Sequence, residues 1–241
     1  MCGRFVVARS ADELVTLLRV DVAADRLPAP SFNVAPTDSA AIVLDARRTA
    51  PPTRRLEPAR WGLVPSWAKD PSAGGRAFNA RAEDLQRRPM FRGALRERRA
   101  IVPVTGYYEW KQESGRKRPH FIHPRDGAPL YLAGLYEWWR DPARTDEDPE
   151  RWLLSFTILT RDSVGALGSV HDRMPVTVSS DAASEWLSGP DDQAAELVRL
   201  VLADSQSLAP ALEIYPVSPA VGNVRNDSPA LTDRVEGAAG S

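Results

Sequence analysis

The sequence predicts an α+β fold: a single compact domain with a twisted, mainly antiparallel, barrel-like sheet flanked by short helices. Two observations carry this prediction. Strand-like and helix-like segments do not alternate strictly along the 241 residues, which argues against a doubly wound parallel sheet. Seven segments are typical of strands, enough for a curved or barrel-like sheet. The 21 prolines are spread throughout and mark turns, so we expect one domain over residues 1–233 and a flexible tail over 234–241.

The first helix is predicted by a capping box, in which Ser10 is followed by Glu13 and then by leucines at helical spacing. Further helices are expected over 82–88, 91–99, 163–167, 182–187 and 194–202. Strands are expected over 40–44, 100–104, 119–122, 130–138, 152–160, 176–178 and 212–217. The polar stretches 51–58 and 141–150 are expected to be exposed loops, the second between two strands.

Composition limits the classes of protein and of site. Hydrophobic residues make up 43% and charged residues 26%, as in ordinary globular proteins. No apolar run approaches a membrane span and the N-terminus lacks a signal peptide's hydrophobic core, so we expect a cytoplasmic protein with no membrane partner. One cysteine can form neither an internal disulfide nor a cysteine-rich zinc site, and three histidines disfavour a histidine-based one, so no metal or cofactor is expected.

Charge is distributed unevenly along the chain. Residues 1–120 hold 22 Lys and Arg against 13 Asp and Glu, whereas residues 121–241 hold 9 against 19. Nearly all the cations are arginines, whose forked guanidinium suits phosphate oxygens. A basic half is the footprint expected of a nucleic-acid site. Arginine-rich composition also follows from GC-rich coding, so both explanations stay open at this point.

The N-terminus carries the first candidate for chemistry. Cys2 follows Met1 directly, and removal of Met1 would leave an α-amine and a thiol on one residue. The amine has a pKa near ~8 and the thiol a pKa near ~8.5. At physiological pH the amine is therefore substantially neutral and the thiol is partly ionised. Gly3 leaves room for close approach and Arg4 adds a phosphate-binding fork. Position alone is also compatible with chance.

Three further stretches combine polar and aromatic residues: 60–69 with 78–83, 101–110 and 170–175. In the first, Trp61 and Trp67 flanked by Arg and Lys suit stacking on unpaired bases, although core packing fits each equally well. Asn79 is either a helix cap or an amide donor to a reacting atom.

Glu109 and His171 are the titratable groups of the other two stretches. An inward Glu109 would have a raised pKa and could carry a proton, but taken alone the sequence favours an outward, solvated side chain. His171 could exchange protons near neutral pH. Pairing of His171 with Asp172 is not expected, because adjacent residues of a strand point to opposite faces. Arg173 adds another phosphate donor.

Together these stretches resemble the SRAP (SOS response-associated peptidase) family, whose members include abasic-site processing proteins. The resemblance spans nearly the whole chain in order and leaves the acidic stretch 141–150 unmatched. It rests on seven segments: MCGRF at the start, FNVAPT at 32–37, RWGLVPSWAKD at 60–70, FNARAE at 78–83, IVPVTGYYEW at 101–110, HDRMPV at 171–176 and PVSPAVGNVRND at 216–227.

The resemblance implies a protein that attaches covalently to abasic sites in single-stranded DNA and protects them in the DNA damage response. Cys2 would be the nucleophile once Met1 is removed, and the product a thiazolidine. Self-directed peptidase activity on Met1 and weak lyase activity are also implied, and one nucleic-acid site needs no more than a monomer. The other catalytic residues would be Asn79, Glu109 and His171. Phosphates would be held by Arg4, Arg81 and Arg173, and bases would lie against Pro36 and Trp67.

Three rival functions fit parts of the same pattern. An N-terminal-nucleophile cysteine amidohydrolase also uses Cys2 after loss of methionine, with the amine as base and the thiol attacking an amide. A peptidase could be limited to removal of its own Met1. A noncatalytic binder of single-stranded DNA would bind reversibly and tolerate Cys2→Ala. The seven segments favour the SRAP-like function over the amidohydrolase.

Overall fold

The computed structural model describes residues 2–46, 49, 51–113 and 115–235, and β-strands form most of its framework. The strands are β1 (Arg4–Val7), β2 (Val22–Ala23), β3 (Ser31–Val34), β4 (Ser39–Ala46), β5 (Thr53–Trp61), β6 (Asn79–Arg81), β7 (Arg99–Val104), β8 (Gly106–Glu113), β9 (Arg116–Pro124), β10 (Leu130–Arg140), β11 (Trp152–Asp162), β12 (Arg173–Pro175), β13 (Thr177–Val178) and β14 (Leu212–Pro216). The α-helices are α1 (Ala11–Leu18), α2 (Pro89–Glu97), α3 (Ser180–Ser188) and α4 (Ala194–Leu208). Short 3₁₀ helices cover Pro71–Arg76, Ala82–Asp84, Gly165–Ser169, Asp191–Gln193, Ala209–Ala211, Pro219–Gly222 and Pro229–Thr232.

The strands form two sheets, one of them closed into a ring. The first sheet is antiparallel, in the order β14-β9-β8-β1-β3. The second runs β12-β11-β10-β7-β4-β5-β2, and β5 also pairs with β11 in parallel, with Ser155 opposite Arg60 and Phe156 opposite Trp61. This last pairing closes β11, β10, β7, β4 and β5 on themselves. The predicted α+β class with a mainly antiparallel, barrel-like sheet is therefore confirmed.

Two apolar clusters lie on the two sides of β1 and β8. The larger contains Cys2, Phe5 and Tyr107 together with the residues that fill the ring. Its centre is Trp61, whose ring stacks on Phe156 at a centroid distance of 6.4 Å and meets Phe5 at 4.7 Å. The smaller cluster holds the opposite faces of the same two strands, including Val6, Tyr108 and Phe121. Because side chains alternate along a strand, neighbouring residues of β8 face different clusters.

Most predicted elements are present, and three segments require correction. The capping box at Ser10 starts α1, with the Glu13 backbone N–H donating to the Ser10 hydroxyl. The predicted loop 51–58 is wrong, because β5 occupies Thr53–Trp61 and pairs with β4 from Thr53 to Arg60. Its buried Leu56, Ala59 and Trp61 were obscured by the arginines and prolines among them.

Two predicted helices are wrong as well. Only one 3₁₀ turn, Ala82–Asp84, occupies the segment 82–88, because Arg88 is extended ahead of Pro89 and a residue before proline disfavours the helical region. The helix predicted at 163–167 is a 3₁₀ helix starting at Gly165. There Val164 is extended and Gly165 has φ +57°, a conformation that breaks an α-helix.

The predicted tail begins with ordered backbone contacts. Arg234 forms an antiparallel bridge with Val217, and the Val235 N–H donates to the carbonyl of Pro216 at 3.0 Å. Residues 236–241 of the predicted tail lie outside the described residues. Within the described part of the chain, no helix is long and apolar enough to cross a membrane.

Candidate active site and adjoining groove

Cys2 lies two residues before the start of β1, with its side chain fully buried in the larger cluster. Its Sγ–H points to the carbonyl of Arg4, with 3.7 Å between sulfur and oxygen. Burial raises the pKa of the Cys2 thiol strongly, and the nearby Glu109 carboxylate raises it further. The thiol is therefore protonated at neutral pH, and an attack by sulfur requires a group that takes this proton.

Asn79 contacts the backbone of Cys2. It is the first residue of β6, paired with Ile158 of β11, and its Nδ2 donates to the Cys2 carbonyl at 2.7 Å. Of the two roles left open for Asn79, amide donor and helix cap, the structure has the donor, directed at the Cys2 backbone. The Asn79 Oδ1 is buried and accepts no hydrogen bond from the described residues.

Glu109 is buried, with 4% of the residue exposed, so the outward orientation favoured by the sequence is wrong. The first half of its strand β8, residues 106–109, is buried between the two apolar clusters, whereas the second half is partly exposed. The Glu109 Oε1 accepts the backbone N–H of Trp110 at 3.2 Å. The carboxylate is close enough to Cys2 and Tyr107 to raise the pKa of both groups.

Tyr107 was not singled out from the sequence. It lies two residues before Glu109 on β8, directly opposite Phe5 of β1, and only 1% of it is exposed. Burial, then Cys2 and Glu109, raise the pKa of the Tyr107 hydroxyl well above its ordinary value. The signal in the sequence was the i, i+2 spacing with Glu109, which puts both side chains on one face of any strand.

His171 lies in the loop ahead of β12. Its Nδ1 is 2.6 Å from an oxygen of Asp172, and the backbone N–H of Arg173 approaches the same nitrogen at 2.9 Å. The expectation that these neighbours do not pair is wrong, because neither residue belongs to a strand and alternation does not apply. An unprotonated Nδ1 accepts from Arg173, whereas a protonated Nδ1 donates to Asp172.

The structure connects Asn79 and Glu109 to Cys2 directly, and His171 through the sheet. A hydrogen bond joins Asn79 to Cys2, and electrostatic contact joins Glu109 to Cys2. His171 is tied to the same framework through β11. That strand pairs with β6 at Asn79 and with β12 at Arg173, two residues after His171.

A groove of about 500 Å³ opens beside Asn79. Trp67 stands on its wall with 68% of its surface exposed, and the predicted phosphate ligand Arg81 is exposed there too. Two further exposed arginines line it, Arg76 and Arg88, which the sequence analysis missed. An exposed tryptophan among arginines is suited to a nucleic-acid strand, with bases stacking on the ring and phosphates pairing with guanidiniums.

One wall of this groove depends on a close backbone crossing. Gly62 ends the RWG segment with φ +127°, and its N–H donates to the carbonyl of Phe156 at 2.8 Å. A side chain at Gly62 would collide with the backbone of Gly74, since a Cβ would lie 2.5 Å from the Gly74 oxygen. The crossing holds the 3₁₀ helix Pro71–Arg76 against the sheet, so Arg76 is presented at the groove.

The remaining predicted DNA contacts have distinct surroundings. Arg4 is half-buried and donates to the carbonyl of Gly3 at 3.0 Å, and burial lowers its pKa from the usual value. Pro36 precedes Thr37, which is held at φ +80° in the turn between β3 and β4. That left-handed conformation is strained for a β-branched residue. The backbone N–H of Thr37 donates to the carbonyl of Trp61 at 2.8 Å, which fixes the turn beside Pro36.

Arg173 is nearly buried and already bound to carboxylates. Its guanidinium contacts Glu83 at 2.9 Å and Asp162 at 2.5 Å, and it donates to the carbonyl of Thr160 at 2.8 Å. These contacts raise the pKa of Arg173 against the opposing effect of burial. Arg173 thus connects β11, β12 and the turn at Glu83, and its contact with a phosphate stays a prediction.

A larger groove of about 970 Å³ lies elsewhere, between the exposed Trp138 and Trp152 and the neighbouring Pro149. None of the predicted catalytic residues lines it. Size alone therefore does not identify the site, and the smaller groove is the relevant one because it contains Asn79. No group of three or more His, Cys, Asp or Glu side chains within the described ranges could hold a metal ion.

Comparison with known proteins identifies the family and the relatives of this chain. The sequence model of the SOS response associated peptidase (SRAP) family matches residues 1–224. The abasic site processing proteins YoqW and YoaM of Bacillus subtilis are 34% and 35% identical, each over 97% of this chain and over 99% and 98% of their own lengths. A crystal structure of a protein from Bacteroides thetaiotaomicron superposes with a TM-score of 0.77 at 22% identity, covering 98% of this chain and all of that one.

Proposed function

The chain belongs to the SOS response associated peptidase (SRAP) family, and from that premise we propose that it processes abasic sites in DNA by capturing them covalently on Cys2. The similarity to proteins named for abasic site processing supports the substrate. One observation carries the mechanism: the hydrogen bond from Asn79 to the Cys2 carbonyl, made beside a groove lined with arginines and an exposed tryptophan.

Capture begins with the amine. Removal of Met1, by this site or by another peptidase, exposes the α-amine of Cys2. An abasic deoxyribose is mostly a closed hemiacetal, and His171, as general acid at the ring oxygen, speeds its opening to the aldehyde. The neutral amine attacks C1′ and a water molecule leaves, giving an imine. Glu109 shuttles the protons of this dehydration, since its charge lies within electrostatic reach of Cys2.

Ring closure completes the crosslink. The Cys2 sulfur adds to the imine carbon and forms a five-membered thiazolidine, which is possible because amine and thiol sit on adjacent carbons. The attack is intramolecular and gains the high effective concentration of an oriented neighbour. The buried thiol is protonated, so its proton must pass to a base, and Glu109 is the carboxylate in electrostatic contact with it.

The groove supports binding of single-stranded rather than duplex DNA. Stacking on Trp67 needs an unpaired base, and the arginines can follow a backbone without reading sequence. Arg76, Arg81 and Arg88 supply these contacts at the groove, and Pro36 on its strained turn lies against the bases flanking the lesion. Arg4, two residues after Cys2, and Arg173 would contact the phosphates next to the abasic sugar.

Further properties follow from the same chemistry. An imine at C1′ opens a route to β-elimination, so we expect weak lyase activity before the ring closes. Peptidase activity is limited to removal of Met1. The site is complete within one chain and uses no cofactor, so a monomer suffices. The protein acts in the cytoplasm and joins the nucleoid when bound to damaged DNA.

The test uses single-stranded DNA with one uracil, treated with uracil glycosylase and mixed with protein whose Met1 has been removed. We expect an adduct that survives boiling in SDS, with a mass equal to protein plus DNA less one water. Cys2→Ala keeps the amine but lacks the thiol and should give no heat-stable adduct. The same adduct from Cys2→Ala would refute the mechanism.

Two controls separate the rival functions. Release of ammonia from glutamine, with no adduct on DNA, would support a cysteine amidohydrolase instead. Equal, salt-reversible binding by the wild type and Cys2→Ala, again without an adduct, would support a noncatalytic binder of single strands.

A further inference from the structure

Two adjacent tyrosines of β8 have opposite surroundings. Tyr108 faces the smaller cluster, packs against Phe121 at 5.1 Å, and its hydroxyl donates to the carbonyl of Phe32 at 3.0 Å. Tyr107 faces the larger cluster, on the side of Cys2 and Glu109. Both are buried, so the difference lies in what each hydroxyl contacts.

The Tyr107 hydroxyl makes no hydrogen bond within the described residues, although only 1% of the residue is exposed. A buried hydroxyl without a partner destabilises a fold, and native structures contain few of them. Phenylalanine would fill the same space without this cost. An uncompensated hydroxyl beside a reactive residue therefore points to a partner acquired during the reaction.

Its chemistry restricts that partner. Burial and the nearby Cys2 and Glu109 keep the pKa of Tyr107 well above its ordinary value, so the group stays a neutral O–H donor at every physiological pH. A neutral donor cannot act as the base for the thiol. It can stabilise an atom that becomes negative, and in this pocket that atom is the Cys2 sulfur.

We propose that Tyr107 is a catalytic residue of ring closure, whose hydroxyl donates a hydrogen bond to the Cys2 sulfur as the S–H bond breaks. The proposal rests on the proposed function, because it assigns a role within thiazolidine formation. In this step the thiol proton passes to the Glu109 carboxylate. A sulfur lone pair forms the S–C1′ bond, and the C=N π pair moves onto the nitrogen of the protonated imine. The products are a neutral ring and a protonated Glu109.

The two tyrosines provide a matched pair of variants. Tyr107→Phe and Tyr108→Phe each remove one buried hydroxyl from the same strand. The imine is measured by trapping with borohydride at short times, since borohydride reduces imines but not thiazolidines. The ring is measured as heat-stable adduct formed without borohydride, and thermal unfolding of the DNA-free protein gives the third readout.

We expect Tyr107→Phe to form imine at the wild-type rate and to close the ring about tenfold more slowly, the loss typical of a hydrogen bond to a developing charge. Its Tm should equal or exceed that of the wild type, because an uncompensated hydroxyl has been removed. Tyr108→Phe should keep both rates and have a lower Tm, because a formed hydrogen bond is lost.

Other outcomes overturn the proposal. Ring closure at the wild-type rate in Tyr107→Phe would show that the hydroxyl takes no part. Equal slowing of imine formation and ring closure, with a lowered Tm, would show a structural role like that of Tyr108. A wild type that forms no Cys2-dependent adduct would overturn the proposed function and this assignment together, whereas a normal wild-type adduct confines any failure to Tyr107.

Discussion

Two regions of this molecule bury polar groups, and they differ in whether those groups have hydrogen-bond partners. Arg99, at the start of β7, is 3% exposed, and all three of its guanidinium nitrogens donate to backbone carbonyls. These carbonyls belong to the C-terminal ends of α2 and α3, where unpaired carbonyls and the helix dipole favour a cation. They are the carbonyls of Leu95, Arg96, Trp186 and Gly189.

The pocket at Cys2 is the contrasting region. The Asn79 Oδ1 and the Tyr107 hydroxyl are buried without a hydrogen-bond partner among the described residues. Burial also raises the pKa of the Cys2 thiol. At Arg99 every guanidinium nitrogen has a partner, whereas at Cys2 an amide oxygen and a phenolic hydroxyl have none within the described residues. Burial alone does not distinguish the two regions.

The largest change in stability should come from a substitution at Arg99. Arg99→Met would leave several buried carbonyls without a donor and lower the free energy of unfolding by about 3 kcal/mol. Urea denaturation followed by tryptophan fluorescence measures this. The matched control is Arg92→Met on the exposed face of α2, expected to change stability by less than about 0.5 kcal/mol. Equal effects of the two substitutions would contradict the role assigned to Arg99.

The next effect concerns alkaline pH. The folded-state pKa of the Cys2 thiol is raised above its ordinary value near ~8.5, so the unfolded chain releases this proton first. The stability contributed by the protonated thiol is fully present below this unfolded-state pKa. Above about pH 8.5 it is lost as pH rises, at up to about 1.4 kcal/mol per pH unit. Denaturation of the wild type and Cys2→Ala between about pH 7 and pH 10 should therefore diverge only above about pH 8.5. Parallel curves would show that Cys2 is not buried as a neutral thiol.

The smallest effect compares two asparagines. Asn33 donates through Nδ2 to the carbonyls of Val221, Asn223 and Asn226, whereas Asn79 donates to Cys2. Asn79→Ala should slow adduct formation about tenfold, the upper range for one lost neutral hydrogen bond, with little change in unfolding. Asn33→Ala should lower stability and leave the adduct rate of the folded protein unchanged. A lowered stability with a normal adduct rate in Asn79→Ala, together with a slowed adduct rate in Asn33→Ala, would contradict the roles assigned to the two asparagines.

The sequence predicted much of the framework, because local signals were strong there. The capping box at Ser10 located α1, and runs of apolar, β-branched or aromatic residues located β4, β7, β10 and β11. It failed at β5, where Pro58 and several arginines hide an inward row that is completed by pairing with β4 and β11. Such pairing partners are distant in sequence, and no local pattern indicates them.

For the candidate site, the identity of the residues could be predicted and their orientation could not. Residue types and order indicated Cys2, Asn79, Glu109 and His171, chiefly through the resemblance to a family. Orientation could not be predicted: Glu109 is buried because both faces of β8 are covered over residues 106–109, which depends on strands far along the chain. Likewise the Arg173 guanidinium binds Glu83, 90 residues earlier, a contact that only the assembled fold creates.

The closing pair of β5 and β11 also sets an order of events during folding. Asn79 reaches Cys2 from β6, and β6 is held by residues 158–160 of β11. Until β11 has emerged from the ribosome, the ring is open and the N-terminal residue lacks its amide anchor. Contacts across so many residues form slowly. The nascent chain therefore lacks the hydrogen bond between Asn79 and Cys2 for most of its synthesis, and the candidate site is completed only after β11 has paired with β5 and β6.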